Sequence, residues 1–460
     1  MLTGFAALID RLNLIVWGPW PTPIGPVPGP LFVLLFGVAI FLTIRLRFVQ
    51  IVRLPQAIHI AFASKPAAGK GVLTPFQAFA TALAASIGTG NIAGVATAVV
   101  SGGPGAVFWI WCYGLFAAAT KFTEAVLGIR FRHAEARPLS AGPPHYLRDG
   151  LGMARLAWIY AFIAGIAALT TTPITQPNSI AVVFQSQFHV PGWATGIIVA
   201  VLAWLVMIGG IQSIGRAMQV LAPVKVFLYL AGGLIVIGTH AGNLPSVLAT
   251  IVHDAFSFKA ATGASAGIGI MVAMRYGLAR GVYANEAGYG TAGVVYGTAR
   301  TEQPAQQGLN AAIEVFVISF VTSSISALSI LVTGVWRSGL TSAAVVAQAF
   351  DTSIPGGGYL LAVCAFLFGL TALIGWSYYG EQFLQYIFGP KVILPYRWLY
   401  CLLIPLGAIS RVDAVWAWGD LMNGLQVFPN VVGLVGLSGV AVAAARSLRA
   451  RRATPAGKSG

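Results

Sequence analysis

The sequence predicts an all-α polytopic membrane protein, and three observations support this fold class. Hydrophobic residues occupy 57% of the 460 positions, whereas only 8% of the residues are charged. A soluble domain carries about 25% charged residues, so this chain could not cover a water-soluble surface. Its apolar residues fall into long runs, and a membrane-spanning helix needs about 20 of them. A lipid-embedded barrel would instead show short alternating segments, which excludes strands as the general interpretation.

Eleven apolar runs are long enough to cross a bilayer, and several of them are interrupted by glycine. They cover residues 29–49, 75–100, 104–129, 156–186, 193–213, 217–239, 263–298, 306–335, 356–387, 394–411 and 414–445. The gaps between these runs are too short to hold a soluble domain.

The basic residues predict how these spans are oriented. Most of the 27 Lys and Arg residues fall in the odd-numbered connections and in the C-terminal tail. Cytoplasmic loops carry the excess of Lys and Arg, so these segments are predicted to be cytoplasmic and the N-terminus to be outside. We interpret the net charge of +15 as this topology signal, and expect the lipid bilayer rather than nucleic acid as a partner. The location predicted is a bacterial-type cytoplasmic membrane.

Glycine clusters interrupt the second and seventh spans. The second span has Gly88, Gly90 and Gly94 around Thr89 and Asn91, and the seventh has Gly263, Gly267 and Gly269 around Ser265. Glycine in a helix interior costs ~1 kcal/mol relative to alanine, so such clusters need a reason. Close packing through small residues explains either cluster alone. The two spans, however, each begin a set of five, and two sets of five would lie in opposite orientations.

This arrangement predicts a substrate site near the bilayer midplane, where matched interrupted spans meet. Half-helix N-termini offer N–H groups to a carboxylate, and carbonyls freed by unwinding can coordinate a cation. The predicted organisation is an extracytoplasmic segment (1–28), an extra span (29–49), a cytoplasmic connection (50–74), a first inverted repeat (75–239), an extracytoplasmic connection (240–262), a second repeat (263–445) and a basic tail (446–460).

Catalytic motifs are not found in the sequence. The segment from Gly288 to Gly293 matches G-x-G-x-x-G, but it follows a membrane span instead of a β-strand. Cys112, Cys364 and Cys401 form no CxxC pair, which excludes the usual zinc spacing. The sequence therefore predicts neither an enzyme nor an organic cofactor.

Several motifs resemble the alanine/glycine:cation symporter family. They are TPFQAFATALAASIGTGNIAGVATAVV, ATKFTEAVLGIRFR, MRYGLARGVYANEAGYGTAG, LIGWSYYGEQ and MNGLQVFPN, in this order along the chain. The resemblance implies a leucine-transporter-type fold of two inverted five-helix repeats with one extra N-terminal span. It also implies uptake of small neutral amino acids driven by sodium, or by protons in some members.

The same resemblance assigns site residues. It implies substrate contacts at Thr89, Gly90, Asn91, Gln176, Gly263, Ser265, Gly267, Ala372 and Trp376, and a sodium site at Gly88, Thr89, Asn91 and Thr371, partly through backbone carbonyls. The chain departs from the family pattern at Ala372, where threonine is usual, and at Ser265, which is often aromatic. Ile318 and Ser319 replace a common Asp-Thr pair.

Glu286 and Glu314 are candidate gate or proton sites, because an ionisable residue at membrane depth is costly. Two interpretations of each remain open. Glu286 either forms a gate ion pair with Arg280 or lies in a solvated loop. Glu314 either ends among the cytoplasmic headgroups or carries a proton.

Three further charged residues lie within spans. Lys121 and Glu124 are three positions apart and are expected to pair with each other. Lys225 is expected to extend to the cytoplasmic interface.

Together these observations predict sodium-coupled symport of a small neutral amino acid into the cell by alternating access. A proton-coupled symporter of the same fold is the alternative. A passive channel is a third hypothesis, although the scarcity of acidic residues outside the span ends argues against a charged pore.

Overall fold

The computed structural model describes residues 2–18, 20, 27–63, 69–136, 138–257 and 268–453. These residues form helices, and among them the only β structure is three isolated bridges. The predicted all-α class is therefore confirmed.

The helices follow one another along the chain. They are α1 (Leu2–Trp17), α2 (Pro30–Arg45), α3 (Val49–Val52), α4 (Leu54–Ala63), α5 (Pro75–Ser86), α6 (Ala93–Gly102), α7 (Gly105–Arg130), α8 (Pro143–His145), α9 (Ala154–Thr170), α10 (Thr172–Phe188), α11 (Gly192–Met207), α12 (Gly210–Thr239), α13 (Leu244–Ala255), α14 (Ile268–Asn285), α15 (Thr291–Gly297), α16 (Pro304–Phe316), α17 (Ser323–Val332), α18 (Ala343–Asp351), α19 (Gly357–Phe388), α20 (Ile393–Ala408), α21 (Val412–Gly436) and α22 (Ser438–Ala453).

A helix, or a pair of consecutive helices, lies at each of the eleven predicted spans. By length and apolar composition, five helical stretches of the described chain qualify as membrane spans, and two bent pairs would raise that number to seven. One bent pair consists of α5 and the segment Thr89–Gly102, which contains α6. The axes of these two segments differ by 56°. Helices α2 and α11 are apolar but shorter.

Helix α5 has clear start and stop signals. The Thr74 hydroxyl accepts from Gln77 N at 3.1 Å, and the Gln77 side chain accepts from Thr74 N at 3.0 Å, which makes a capping box. Pro75 occupies the first turn, where its missing N–H costs nothing. The helix ends at Ser86, and a short 3₁₀ turn follows at Thr89–Asn91. The predicted interruption of the second span is therefore present.

The interruption predicted for the seventh span around Ser265 is not tested by the structure. Gly263, Ser265 and Gly267 lie outside the described residues. Within the described part of the span, α14 ends at Asn285 and α15 begins at Thr291. The described part of the span is therefore interrupted at the segment 286–290, which the sequence pattern places at the end of the span.

Helix α7 packs against α14, α15 and α16. Its approach to α15 depends on Gly128, since a Cβ there would lie 2.1 Å from the Gly293 carbonyl oxygen. Close contact brings the polar residues of α7, Lys121 and Glu124, next to the interruption between α14 and α15.

Candidate functional site

The first helix break is the segment 87–91. Thr89 and Asn91 are fully buried there. The amide oxygen of Gln176, from α10, accepts hydrogen bonds from Thr89 N at 2.8 Å and from the Thr89 hydroxyl at 2.9 Å. Gln176, to which the family resemblance assigns a substrate contact, therefore binds the first break in this structure.

The second helix break is the segment 286–290, and its backbone is unusual. Glu286, Gly288 and Gly290 all have positive φ angles, of 57°, 97° and 86°. A non-glycine residue in this region is uncommon, and such residues cluster at functional sites. Glu286 is also only 2% exposed, so it does not lie in a solvated loop.

Two charged residues of α7 bind the two ends of this second break. The Lys121 ammonium donates to the Asn285 carbonyl at 2.6 Å, at the C-terminal end of α14. Glu124 Oε1 accepts from Gly288 N at 2.9 Å and from Gly290 N at 3.1 Å, just before α15 begins. A cation at a helix C-terminus and an anion at an N-terminus both complement the helix dipole. The break is thus stabilised by groups that satisfy its free backbone atoms.

Glu314 pairs with Lys121 in the protein interior. Lys121 Nζ lies 2.6 Å from Glu314 Oε1, and both side chains are at most 1% exposed. Glu314 also accepts from the Ser86 hydroxyl at 2.7 Å and from the Tyr296 hydroxyl at 2.9 Å. The expected Lys121–Glu124 pair is therefore wrong, and so is the alternative that places Glu314 among the headgroups. The Lys121–Glu314 pair instead connects the end of α5 to the second break.

A small cavity lies between the two breaks. Its lining residues are Ala85, Ser86, Gly88, Gly90, Thr172, Gln176, Tyr283, Glu286, Tyr289, Trp376 and Asn423. Glu286 is oriented by Trp376, whose indole N–H donates to Oε1 at 2.6 Å, and by Thr291, whose hydroxyl donates to Oε2 at 2.7 Å. The structure therefore places four predicted site residues around one cavity with Glu286, and what each of them binds stays a prediction. They are Gly88, Gly90, Gln176 and Trp376.

Ala372 lies behind this cavity rather than lining it. A Cβ built on Gly88 would lie 2.9 Å from the Ala372 Cβ. The small side chain at this position therefore allows α19 to approach the break closely.

The Asn91 side chain contacts the eighth span and is not among the residues that line the cavity. Its Oδ1 accepts from the Thr322 and Ser323 hydroxyls, both at 3.3 Å, and its Nδ2 donates to the Ser86 carbonyl at 3.2 Å. The segment Val317–Thr322 of that span is a π-helical bulge, a feature frequent at functional sites. Neutral carbonyl, amide and hydroxyl oxygens are gathered here.

Lys225 also reaches the first break, and not the cytoplasmic interface as expected. Its side chain is fully buried. The ammonium donates to Ala84 O at 2.9 Å, to Ile87 O at 2.5 Å and to the Thr371 hydroxyl at 2.5 Å. Thr371, predicted as a sodium ligand, therefore accepts a hydrogen bond from a lysine in this structure.

Sequence reasoning missed an ion pair near Tyr283, one of the residues that line the cavity. Arg280 binds Asp420 at 2.6 Å, rather than the expected partner Glu286, and its guanidinium lies 4.8 Å from the Trp416 ring centroid. Tyr283 lines the cavity and packs against Trp416, and a Cβ on Gly90 would lie 2.6 Å from the Tyr283 ring. The signal available in the sequence was the position of Asp420 within an apolar span.

A second polar cluster lies in the connection between α7 and α9, far along the chain from the breaks. It holds His133, His145 and Asp149. Burial lowers the pKa of His145 to about 3, and hydrogen bonds from Arg148 lower the pKa of Asp149 to about 2. Since Arg148 already neutralises this carboxylate and also contacts His133 at 3.1 Å, the cluster is a structural ion-pair network.

Comparison with known proteins shows the family to which this chain belongs. The sodium:alanine symporter family matches residues 7–458. The sodium/alanine symporter AgcS of Methanococcus maripaludis is 37% identical over 441 residues, covering 94% of each chain. An uncharacterized transporter of Haemophilus influenzae is 36% identical over 438 residues, covering 93% of each chain. The putative sodium/proton-dependent alanine carrier YrbD of Bacillus subtilis is 30% identical over 455 residues, covering 94% of this chain and 90% of the relative.

Solved structures support the fold. A manganese transporter of Eremococcus coleocola, in complex with an aromatic bis-isothiourea substituted compound, aligns with a TM-score of 0.54 at 14% identity, covering 83% of this chain and 88% of its own. A sodium-coupled sialic acid symporter aligns with a TM-score of 0.53 at 12% identity, covering 88% and 86%. At these identities the similarity concerns the fold alone, which is of the leucine-transporter type. The family consists of membrane transporters and not of enzymes, and this chain belongs to the sodium:alanine symporter family.

Proposed function

We propose that the chain is a secondary active transporter that moves a small neutral amino acid into the cell together with sodium. The observation that carries this proposal is the small cavity between the two helix breaks, where Glu286 is the only carboxylate among the described lining residues. A zwitterionic amino acid needs an anion for its ammonium group and hydrogen-bond donors for its carboxylate. The two breaks supply these groups on opposite sides of one cavity.

The substrate carboxylate would bind at the first break. Thr89 N and the Thr89 hydroxyl both donate to the amide oxygen of Gln176. A carboxylate is a stronger acceptor than a neutral amide oxygen, so the substrate would take these donors. The displaced Gln176 side chain, together with Gly88 and Gly90, would then form the wall around the carboxylate.

The substrate ammonium would bind Glu286. Trp376 and Thr291 hold this carboxylate in place by hydrogen bonds. Because the Glu286 side chain is already ordered, substrate binding loses little side-chain entropy there. Trp376 and Tyr283 line the rest of the cavity, whose volume of about 10 Å³ holds no more than a water molecule in this state. Gln176 would therefore have to move when the substrate binds, and the two rings would restrict the substrate side chain to a small one. AgcS is named for alanine, which fits this size.

Sodium would bind at the oxygens around Asn91. Asn91 Oδ1, the Ser86 carbonyl and the hydroxyls of Thr322 and Ser323 lie within one hydrogen-bonded group. The backbone carbonyls of Gly88 and Thr89 belong to the same break. They accept from Asn91 N and Ile92 N, and each keeps a second lone pair for a cation. A cation here screens the nearby substrate carboxylate, so each ligand raises the affinity of the other by the same factor. AgcS is named for sodium and YrbD for sodium and protons.

Alternating access would require one layer to open on each side of the cavity. On one side, Tyr283 packs against the Trp416 ring, which also contacts the Arg280 guanidinium of the Arg280–Asp420 pair. On the other side, Tyr289 and Trp376 pack with ring centroids 6.3 Å apart. We propose that a helix bundle rocks so that these layers open in turn, in a cytoplasmic membrane with the N-terminus outside.

Uptake of labelled alanine into proteoliposomes tests the function. With an inward sodium gradient, the wild type is expected to accumulate alanine above the external concentration, and a matched potassium gradient is not expected to drive accumulation. Asn91→Ala removes the amide oxygen proposed to bind sodium. It is expected to lower the sodium affinity of uptake by about tenfold or more, since a hydrogen bond or ligand to a charged group contributes about 1.5–3 kcal/mol.

Asn243→Ala is the matched control, because Asn243 also donates to a backbone carbonyl, that of Val332 at 2.9 Å, but lies away from both breaks. Its sodium affinity is expected to equal that of the wild type. Equal sodium affinities for Asn91→Ala and Asn243→Ala would refute the proposed sodium site. Alanine that only equilibrates across the vesicle membrane under every gradient would indicate a passive channel instead.

A further inference from the structure

Four arginines line one pocket where α2 ends. Arg45 is the last residue of α2, Arg47 lies in the turn that follows, and Arg53 comes directly after α3. Arg446 belongs to α22, near the other end of the chain. All four line a cavity of about 50 Å³, together with apolar residues of α3 and α22. A single water needs about 10–15 Å³, so the pocket has room for several atoms of a ligand.

The turn between α2 and α3 has a strained backbone. Arg47 and Phe48 both have a φ angle of 55°, in the left-handed region that glycine adopts without strain. The buried Gln50 fixes this turn against α7, since its amide donates to the Leu115 carbonyl at 3.2 Å. Larger side chains kept in this backbone region cluster at functional sites. The strained turn places the side chain of Arg47 at the pocket.

The described residues that line this pocket include no counter-charge. The sequence has no Asp or Glu at positions 11–123 and 421–460, which contain all four arginines. Within the described part of the chain, Arg45, Arg47 and Arg446 form no ion pair. Like charges around one cavity repel each other. An anion from outside the chain would remove this repulsion.

The surface beside the pocket is apolar. The Arg45 guanidinium lies over the Phe41 ring, 5.6 Å from its centroid, and Phe41 is one turn back along α2. Phe41, Ile44, Ile51 and Val52 are all exposed at the protein surface. A soluble anion would leave these side chains uncovered, whereas the acyl chains of a lipid would cover them. Basic pockets between membrane helices are typical binding sites for anionic lipid headgroups.

We propose that this pocket binds the phosphate group of an anionic phospholipid, whose acyl chains lie along the exposed face of α2. Guanidinium groups suit this role because each presents paired N–H donors to phosphate oxygens. The headgroup would connect the turn after α2 to α22. None of the residues that line the cavity between the two helix breaks lines this pocket. The lipid site therefore does not depend on which solute the protein transports.

Thermal unfolding of the purified full-length protein in detergent measures the binding. Three compounds are titrated: dioctanoyl phosphatidylglycerol, which is anionic; dioctanoyl phosphatidylcholine, which is zwitterionic; and glycerol 3-phosphate, which has no acyl chains. A ligand that binds only the folded state raises the thermal midpoint as its concentration rises. We expect phosphatidylglycerol to raise the midpoint in a saturable way, at concentrations where the other two compounds have little effect.

The pocket variant combines Arg45→Gln, Arg47→Gln and Arg446→Gln. It keeps polar side chains at three exposed positions and removes three positive charges from the pocket. Each basic residue near an anionic lipid surface contributes to the attraction. The half-saturating concentration of phosphatidylglycerol is therefore expected to rise by about tenfold or more.

The matched control combines Arg155→Gln, Arg216→Gln and Arg300→Gln. It removes the same net charge at three exposed arginines that do not line the pocket, and it is expected to keep the wild-type response to phosphatidylglycerol. If the triple pocket variant does not fold, Arg446→Gln alone should still weaken the binding several-fold in comparison with Arg216→Gln.

Three results would overturn the inference. Equal half-saturating concentrations for the pocket variant and its control would mean that phosphatidylglycerol binds elsewhere. Equal stabilisation by phosphatidylglycerol and phosphatidylcholine would mean that the charge of the headgroup has no role. Glycerol 3-phosphate that binds as tightly as phosphatidylglycerol would identify a site for a soluble phosphate instead of a lipid.

Discussion

Lys121→Met is expected to lower the stability of the folded protein by about 3–5 kcal/mol, which is the usual cost of leaving one partner of a buried ion pair alone. Its partner Glu314 is fully buried. The substitution also removes the donor to the Asn285 carbonyl at the second break. The thermal midpoint of the purified protein in detergent measures this loss, and alanine uptake is expected to be lost with it.

The double variant Lys121→Met with Glu314→Gln shows whether the effect comes from the unpaired charge. It removes both charges, so it is expected to be more stable than Lys121→Met alone. The matched control is Lys70→Met, which breaks the exposed pair with Glu135, where both side chains are more than 70% exposed. An exposed pair contributes about 0–1 kcal/mol, so little change is expected. Equal losses for Lys121→Met and Lys70→Met would contradict this account of the interior.

Glu286→Gln is expected to weaken alanine binding by about 10-fold to 100-fold. The variant keeps the shape of the side chain and can still accept from Trp376, but it loses the charge proposed to bind the substrate ammonium. A hydrogen bond to a charged group contributes about 1.5–3 kcal/mol, and 1.4 kcal/mol corresponds to a factor of ten in affinity. Equilibrium binding of labelled alanine to the purified protein measures the change directly.

Glu381→Gln is the control for this substitution. Glu381 is also a buried carboxylate of the bundle, but it binds Arg397 at 2.7 and 3.0 Å near the end of α19, away from the cavity. It is expected to lose stability and to keep the wild-type affinity for alanine. If Glu286→Gln bound alanine as tightly as Glu381→Gln, the ammonium would have to bind elsewhere.

The elements that could be predicted from the sequence are those with a local signal. Apolar runs locate the helices, because a span needs a continuous apolar stretch. The glycine cluster around Gly90 locates the first break, since glycine is unfavourable inside a helix. The second break also has glycines, Gly288 and Gly290, but they follow a long apolar run. For that reason the pattern indicates the end of a span at Glu286 instead of its interruption.

The interior charge network could not be predicted, because its partners are far apart along the chain. Lys121 and Glu314 are separated by 193 positions, whereas the helical spacing favoured Glu124 as the partner. Lys225 and Ala84 are 141 positions apart, and only the packing of α12 against α5 brings them together. The sequence did indicate that such partners exist, because an ionisable residue at membrane depth is costly. Each of these residues therefore needs a partner.

A cryo-electron microscopy map of the protein in lipid nanodiscs with alanine and sodium tests the central claim most directly. We predict density for the amino acid between Thr89 and Glu286, with its carboxylate on the first break and its ammonium on the Glu286 carboxylate. An amino acid bound at another place, with the space between the two breaks filled by protein side chains alone, would contradict the account.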